Sequence, residues 1–217
     1  MIETLALLAF ILLIVIIIAI GVVFFKHFNK KEKKEIFFKK IPLRERSCYD
    51  VDIARVIWKL KEDVNACKIT VNRFHNGGNY ANGQPMQKFT ATHETPGGSI
   101  IPVMDKCNGI LISRYSEAFM TLGTMSEYVI HCVDDCIDRN FRYDMIFYGF
   151  KATYLFLIEN PDGSEEGFIG VNFKNAHVME PEQRQKVREQ IPTILLLLNM
   201  KKIEFIEKRA LNINLNG

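Results

Sequence analysis

Apolar and polar positions follow three different rhythms along this chain. The first is uninterrupted: Leu5–Phe25 (LALLAFILLIVIIIAIGVVFF) runs for 21 residues without a charge or a strongly polar group. That length crosses the hydrocarbon core of a bilayer, and within a bilayer only a helix satisfies such a segment's own backbone. The second rhythm is helical. In Asp50–Ala66 (DVDIARVIWKLKEDVNA), Val51, Ala54, Ile57 and Trp58 recur at three- and four-residue steps, followed by Leu60 and Val64. This predicts an amphipathic helix capped by Asp50 or Ser47, with Trp58 on its core face. The third rhythm has period two. Within Lys68–His93, Ile69, Val71, Arg73 and His75 share one face of an extended segment, and Thr70, Asn72 and Phe74 share the other. After a polar stretch, Phe89, Ala91 and His93 share a face of a second strand.

Breakers and caps place the remaining elements. Asn76-Gly77-Gly78 and Asn82-Gly83-Gln84-Pro85 stop the first strand and predict a loop of about eleven residues, long for a hairpin. Ser113–Thr121 and Met125–Asp138 read as short helices, the second with Cys132 and Cys136 on one face. Thr153–Glu159 and Gly167–Phe173, joined by the turn Asn160–Ser164, form the clearest hairpin. Glu180–Ile206 predicts a closing helix with Pro181 in its first turn and Pro192 inside it, where it should kink or divide the helix. Beyond Arg209 the tail should fray. The fold class is α+β: an amino-terminal transmembrane helix, then a central antiparallel sheet flanked by helices. The divisions are an anchor at 1–25, a linker at 26–47, a domain at 48–206 and a tail at 207–217.

Charge orients this arrangement. Seven lysines against Glu32 and Glu35 crowd Lys26–Lys40, and no Lys or Arg precedes Lys26. A cleaved signal peptide would carry a basic start, whereas Glu3 is the only charged side chain before the apolar run. The positive-inside rule puts the carboxyl-terminal domain in the cytoplasm and the amino terminus outside, as a single-pass protein. Lys26, Lys30, Lys31, Lys33 and Lys34 then rest on anionic headgroups of the lipid bilayer. Beyond position 40 there remain 21 basic and 22 acidic residues, a balance that disfavours a nucleic-acid partner. Five cysteines, odd in number and without a framework spacing, suit reduced thiols.

Candidate chemistry gathers around the first hairpin. His75, Asn76, Asn79, Asn82, His93 and Glu94 are candidates to line one polar ligand site at its mouth. The alternative is that the asparagines and glycines only make turns and the histidines cap strands. Another alternative is a metal-dependent enzyme using His75, His93 and Glu94, with His177 as a fourth candidate. No H-E-x-x-H, nucleophile elbow, P-loop or G-x-G-x-x-G pattern is present, so no residue is assigned as catalytic or as a metal ligand, and the cofactor is left open. Cys132 and Cys136 read as buried thiols more readily than as half of a zinc site.

The order helix, strand, polar loop, strand, mixed loop, short helices, strand, tight turn, strand, long helix resembles a GAF-like domain of the PAS/GAF sensory group. The resemblance covers about residues 48–206. It rests on Asp50–Ala66, Lys68–His93, TYLFLIENPDGSEEGFIGVNF and the helix after Pro181. It implies a small-molecule pocket between the sheet and its inserted helices, formed by the 99–150 region and the first hairpin. It also implies dimerisation through the first and last helices. The short signature of cyclic-nucleotide-binding GAF domains is not visible and no cysteine stands in a chromophore-attachment context, so no binding residue is carried over. The stretch RFHNGGNYANG is similar to membrane-anchored proteins of large tailed phages. The function expected is a membrane-tethered ligand- or protein-binding module without its own output domain or enzymatic activity. The alternative is a scaffold at the membrane, phage-encoded. The anchor is tested directly: Leu13→Arg together with Ile17→Arg should move the protein from the membrane pellet to the soluble fraction, and unchanged pelleting would refute it.

Overall fold

A computed structural model describes residues 43–79, 81, 83, 85–97 and 100–214. The apolar run Leu5–Phe25, the lysines Lys26, Lys30, Lys31, Lys33 and Lys34, and Asn82 lie outside the described residues. Among the described residues no helix is long and apolar enough to cross a membrane.

The order is helix α1 (Leu43–Asp63), strands β1 (Lys68–Asn79), β2 (Pro85–Glu94) and β3 (Ile110–Leu111), helix α2 (Ser116–Met125), strand β4 (Glu127–Ile130), helix α3 (Arg139–Tyr148), strands β5 (Ala152–Glu159) and β6 (Glu165–Phe173), and helix α4 (Pro181–Asn214). The six strands form one sheet in the order β3-β2-β1-β6-β5-β4, with every neighbouring pair antiparallel. Helices α1 and α4 cover one face. The other lies under α2, α3 and the segment 100–109, so the sheet separates two apolar cores. Strand β5 shows this in its alternation: Tyr154, Phe156 and Ile158 enter the first core, Leu155 and Leu157 the second.

Three local features differ from what periodicity predicts. The face of α1 that packs is Ile53, Ile57, Leu60 and Val64, each at most 1% exposed, whereas Val51 and Trp58 face solvent. Trp58 stays there because its indole N–H donates to Glu62 Oε1 at 2.8 Å and the Lys61 ammonium lies over its ring. Residues 127–130 are not helical. The spacing of Tyr128, Val129, Cys132 and Val133 fits either period, and edge pairing with β5 selects the strand. Cys132 and Cys136 therefore share no helical face; they flank a single 3₁₀ turn at Val133–Asp135. Pro192 lies inside α4, which is not divided.

The first hairpin is longer and its loop shorter than the glycines imply. Strand β1 continues to Asn79, opposite Pro85, by absorbing Gly77-Gly78 as an irregularity in register. Gly78 has φ +102°, which only glycine adopts without strain. A second irregularity sits in β2. Val71 pairs with His93 and Asn72 with Ala91, so Thr92 is the extra residue of a bulge. Phe89 and Ala91 enter the second core, and the bulge turns His93 to the opposite face.

Ile57→Ala should cost about 2–5 kcal/mol, because a fully buried side chain leaves a cavity. Trp58→Ala should cost under about 1 kcal/mol, as for other surface changes. Urea unfolding followed by circular dichroism measures both, and equal losses would contradict this account of α1.

Candidate functional site

Of the six residues singled out in the hairpin, the five that the structure describes are not brought together. His93 Nε2 meets Asp50 Oδ1 of α1 at 3.0 Å on the helix-covered face. His75 is exposed, its Nε2 2.9 Å from Thr90 Oγ1. His75 lies opposite Lys88 and His93 opposite Val71. Four residue steps along β1 separate those positions, roughly 13 Å along a strand. Asn76 and Asn79 are exposed near the tip. Glu94 lies on the other face of the sheet from His93 and serves a different purpose. Its Oε2 accepts from Lys68 Nζ at 3.1 Å, from Val103 N–H at 2.7 Å and from Met104 N–H at 3.4 Å. Lys68, 1% exposed, also donates to the Ile101 carbonyl. This pair clamps the segment 100–109 to the sheet edge. His177 stacks on Phe173, and its carbonyl accepts from the Tyr154 hydroxyl at 2.9 Å. Among the described residues no group of three or more His, Cys, Asp or Glu is placed to hold a metal ion.

The structure assembles a different site, an inner pocket of about 80 Å³ between the sheet and α3. Its floor is the pocket-facing row of β1, β6 and β5. Thr70, Gly170 and Leu155 lie side by side; Asn72 and Phe168 stand at one end and Asn172 and Thr153 at the other. Thr70, Asn72, Thr153 and Asn172 are 2–5% exposed. They partner one another: Asn72 Nδ2 donates to Thr70 Oγ1 at 3.0 Å, and Thr153 Oγ1 donates to Asn172 Oδ1 at 3.0 Å. Position 170 has no room for a side chain, since the Thr70 hydroxyl occupies the space and a Cβ there would lie 2.6 Å from Thr70 Oγ1.

The roof comes from α3, which its sequence delimits tightly. The Asp138 side chain caps the amino terminus by accepting from the Asn140 and Phe141 N–H groups, and Gly149 ends the helix at φ +77°. The helix turns Phe141, Asp144, Met145 and Tyr148 toward the pocket at three- and four-residue steps. The Tyr115 hydroxyl donates to Asp144, and Arg114 pairs with the same carboxylate at 3.2 Å. Burial, then the hydrogen bond and charge of Asp144, push the Tyr115 hydroxyl well above its ordinary range. Burial does the same to Tyr148, which lies 3.6 Å from Cys107 Sγ, and burial raises Cys107 itself. All three groups stay neutral at physiological pH.

Beside the pocket lies an outer cleft of about 470 Å³, lined by Phe74, Gln87, Ser116, Met120, Glu165 and neighbouring residues. Phe119 of α2 lines both spaces and partitions them. Its ring packs within 5.4–6.3 Å of the rings of Phe74, Phe89, Tyr115 and Phe168.

Periodicity does not find these residues, because it records only where apolar side chains recur. One signal was present: asparagine and threonine at inward positions of strands rich in apolar residues, where asparagine is disfavoured.

No family model matches the sequence, and no curated protein matches it. Solved structures do match. The phycocyanobilin-bound GAF domain of a cyanobacterial phytochrome aligns with a TM-score of 0.56 at 11% identity, over 74% of this chain and 91% of that one. This chain has the GAF fold. The blue-light-absorbing form of the Thermosynechococcus elongatus PixJ GAF domain gives 0.56 at 11% identity, over 82% and 99%. A GAF domain/HD domain protein from Geobacter sulfurreducens gives 0.54 at 11%, over 70% and 94%. The pocket and its clamp belong to a GAF sheet with helices on both faces.

Thiol labelling tests the placement of the pocket wall. Cys48 is exposed, whereas Cys107 and Cys136 are 9% and 4% exposed, and burial holds both above the ordinary thiol range. Iodoacetamide at pH 8 should label Cys48 within minutes and leave Cys107 and Cys136 unmodified until denaturant is added. Mass spectrometry of digested protein reads this, and rapid native labelling of Cys107 would contradict its burial in the pocket wall.

Proposed function

We propose that this chain is a membrane-tethered sensory or regulatory module that binds a small molecule in the inner pocket and does no chemistry on it. The observation that carries this reading is the floor. Four neutral polar side chains occupy the centre of a sheet buried on both faces, where apolar residues would pack at lower cost. They line the pocket floor on either side of Gly170, whose lack of a side chain admits the Thr70 hydroxyl. A pocket with apolar walls and a few convergent polar groups is the usual form of a small-molecule site. The phytochrome domain of the same fold carries phycocyanobilin, which supports the reading that this fold here also takes a small organic ligand. The tether rests on Leu5–Phe25 and its lysine flank. The hairpin residues His75, Asn76 and Asn79, with His93 and Glu94, enter this reading only as supports of the sheet and of the segment 100–109.

A second reading is favoured by one measurement. The inner pocket holds about 80 Å³, against the roughly 300–1,000 Å³ usual for ligand sites. A scaffold that has lost its ligand, of the phage-encoded kind to which RFHNGGNYANG is similar, would show such a contracted space.

Native mass spectrometry of the full-length protein, released from detergent and compared with its denatured mass, separates the two. Binding predicts a copurifying molecule that is lost on denaturation and depleted in Asn72→Leu. An empty protein whose spectrum Asn72→Leu leaves unchanged would favour the scaffold.

A further inference from the structure

We infer, on the reading that the inner pocket binds a small molecule, that the segment 100–109 is a hinged strap: it lifts from the Lys68–Glu94 pair to let a ligand in and settles back to hold it there.

The walls of the pocket differ in how they are held. Val103 and Cys107 line it from a stretch of turns and bends. The other lining residues, Phe150 apart, stand on strands or helical turns. The strap buries three apolar side chains, Ile100, Val103 and Cys107, and leaves Ile101 and Met104 exposed. Opposite it, α3 sinks Met145 and Tyr148 into the core and is tied through Asp144 to Tyr115 and Arg114. A segment with few buried apolar contacts opens before elements that are packed in this way.

The place where the strap docks favours the same motion. Both charges belong to the sheet, Lys68 to β1 and Glu94 to β2. The strap brings only backbone groups to them. The Val103 and Met104 N–H groups donate to Glu94 Oε2, and the Ile101 carbonyl accepts from Lys68 Nζ. Lifting the strap therefore does not part the two charges. It hydrates a pair that stays paired, and the freed backbone groups bond water. A buried charge is costly when its partner is removed, and this opening removes neither partner.

The two ends of the strap are built differently. At the far end the Ala91 N–H donates to the Cys107 carbonyl at 2.8 Å, and the Gly109 N–H donates to Thr90 Oγ1 at 2.9 Å, immediately before β3. These bonds fix a pivot on β2. At the near end the backbone of Gly97 lies against the Lys68 stem, where a Cβ would come within 2.8 Å of Lys68 Cε. Residues 100–104 can thus leave the pair while 107–109 stay on β2. That motion withdraws Val103 from the pocket wall. Val103 also accepts from the Cys107 N–H through its carbonyl at 2.8 Å, so its departure undoes the turn that covers the Cys107 thiol.

Iodoacetamide at pH 8 reads this opening in the full-length protein in detergent. Cys107 reports the strap, and Cys136, buried in the same core but outside the strap, is the internal reference. Glu94→Gln places its cost on the closed state, because Lys68 then faces a neutral partner beneath the strap and is hydrated only when the strap lifts. It should raise the Cys107 labelling rate about tenfold or more and leave Cys136 unmoved. Val103→Ala keeps the pair and trims only the strap's own packing; it should raise the Cys107 rate about threefold or more, again with Cys136 unmoved. Native mass spectrometry during dialysis gives the second readout: a molecule that copurifies with wild type should leave Glu94→Gln about tenfold faster, in step with the opening. Cys107 unmoved in both variants, or Cys107 and Cys136 accelerating together in both, would overturn the strap. A faster Cys107 with the copurified molecule leaving at the wild-type rate would also overturn it, placing the route through another wall and leaving the binding pocket standing. If no molecule copurifies with wild type, the binding reading falls and the gate falls with it, whatever the thiols show.

Discussion

Everything in this domain follows from a sheet that is buried on both faces. A strand covered on one side alternates apolar and polar residues; a strand covered on both must be apolar throughout or satisfy each polar group inside the protein. Strands β5 and β6 meet this demand almost residue by residue, with only Glu159 and Glu165 exposed at the turn end. The demand explains why α1 and α4 are needed together on one face, since neither covers three central strands alone. It also makes the polar exceptions informative. Thr70, Asn72, Thr153 and Asn172 all fall on the same side of the sheet, and the paired carboxamide–hydroxyl bonds keep them from being orphaned. A random scatter of tolerated polar residues would divide between the two faces.

The pairing of buried Lys68 with half-buried Glu94 is the second constraint. Removing one partner of such a pair typically costs about 3–5 kcal/mol, because the other charge is left without compensation. Here the pair is reinforced by the Val103 and Met104 N–H groups and the Ile101 carbonyl. The segment 100–109 has almost no secondary structure of its own, so its position depends on these bonds and on Ala91 N–H reaching the Cys107 carbonyl at 2.8 Å. Val103 and Cys107 are pocket wall. Glu94 therefore shapes the pocket from outside it, by holding the chain that closes one side.

Much of the fold was legible in the sequence and the site was not, for physical reasons that differ. The β5–β6 hairpin is legible because Asn160–Ser164 is a strong turn between two apolar runs; the turn is realised with Gly163 at φ +80°. Helix α1 is legible as an element, but its packed face is displaced from the predicted one, because Trp58 finds polar partners at the surface. Glu94 and His93, adjacent in sequence, invite a single site, yet alternation sends neighbours to opposite faces. The bulge at Thr92 decides which faces those are, and periodicity cannot locate an inserted residue. Strand β4 was hidden because four residues at an edge are too few to show a period. The pocket floor needed the pairing of β1 with β6 and of β6 with β5, contacts across about 100 residues of chain in the first case.

The same double burial bears on how an occupied pocket would be felt elsewhere. In β1, Asn72 faces the pocket and Val71 beside it faces α1 and α4; in β6, Gly170 lies between Ile169 and Val171, both in the helix-side core. Protein interiors are close-packed, so a floor residue cannot move without its neighbours on the strand moving against the other core. Side chains on α1 and α4 answer those strands directly, Ile53 and Ile57 from one and Val187 and Ile194 from the other. Gln183 Nε2 on α4 also donates to the Val64 carbonyl just beyond α1, which couples the two helices to each other. A ligand that repositions Asn72 or Asn172 therefore acts on the helix pair through one strand's thickness.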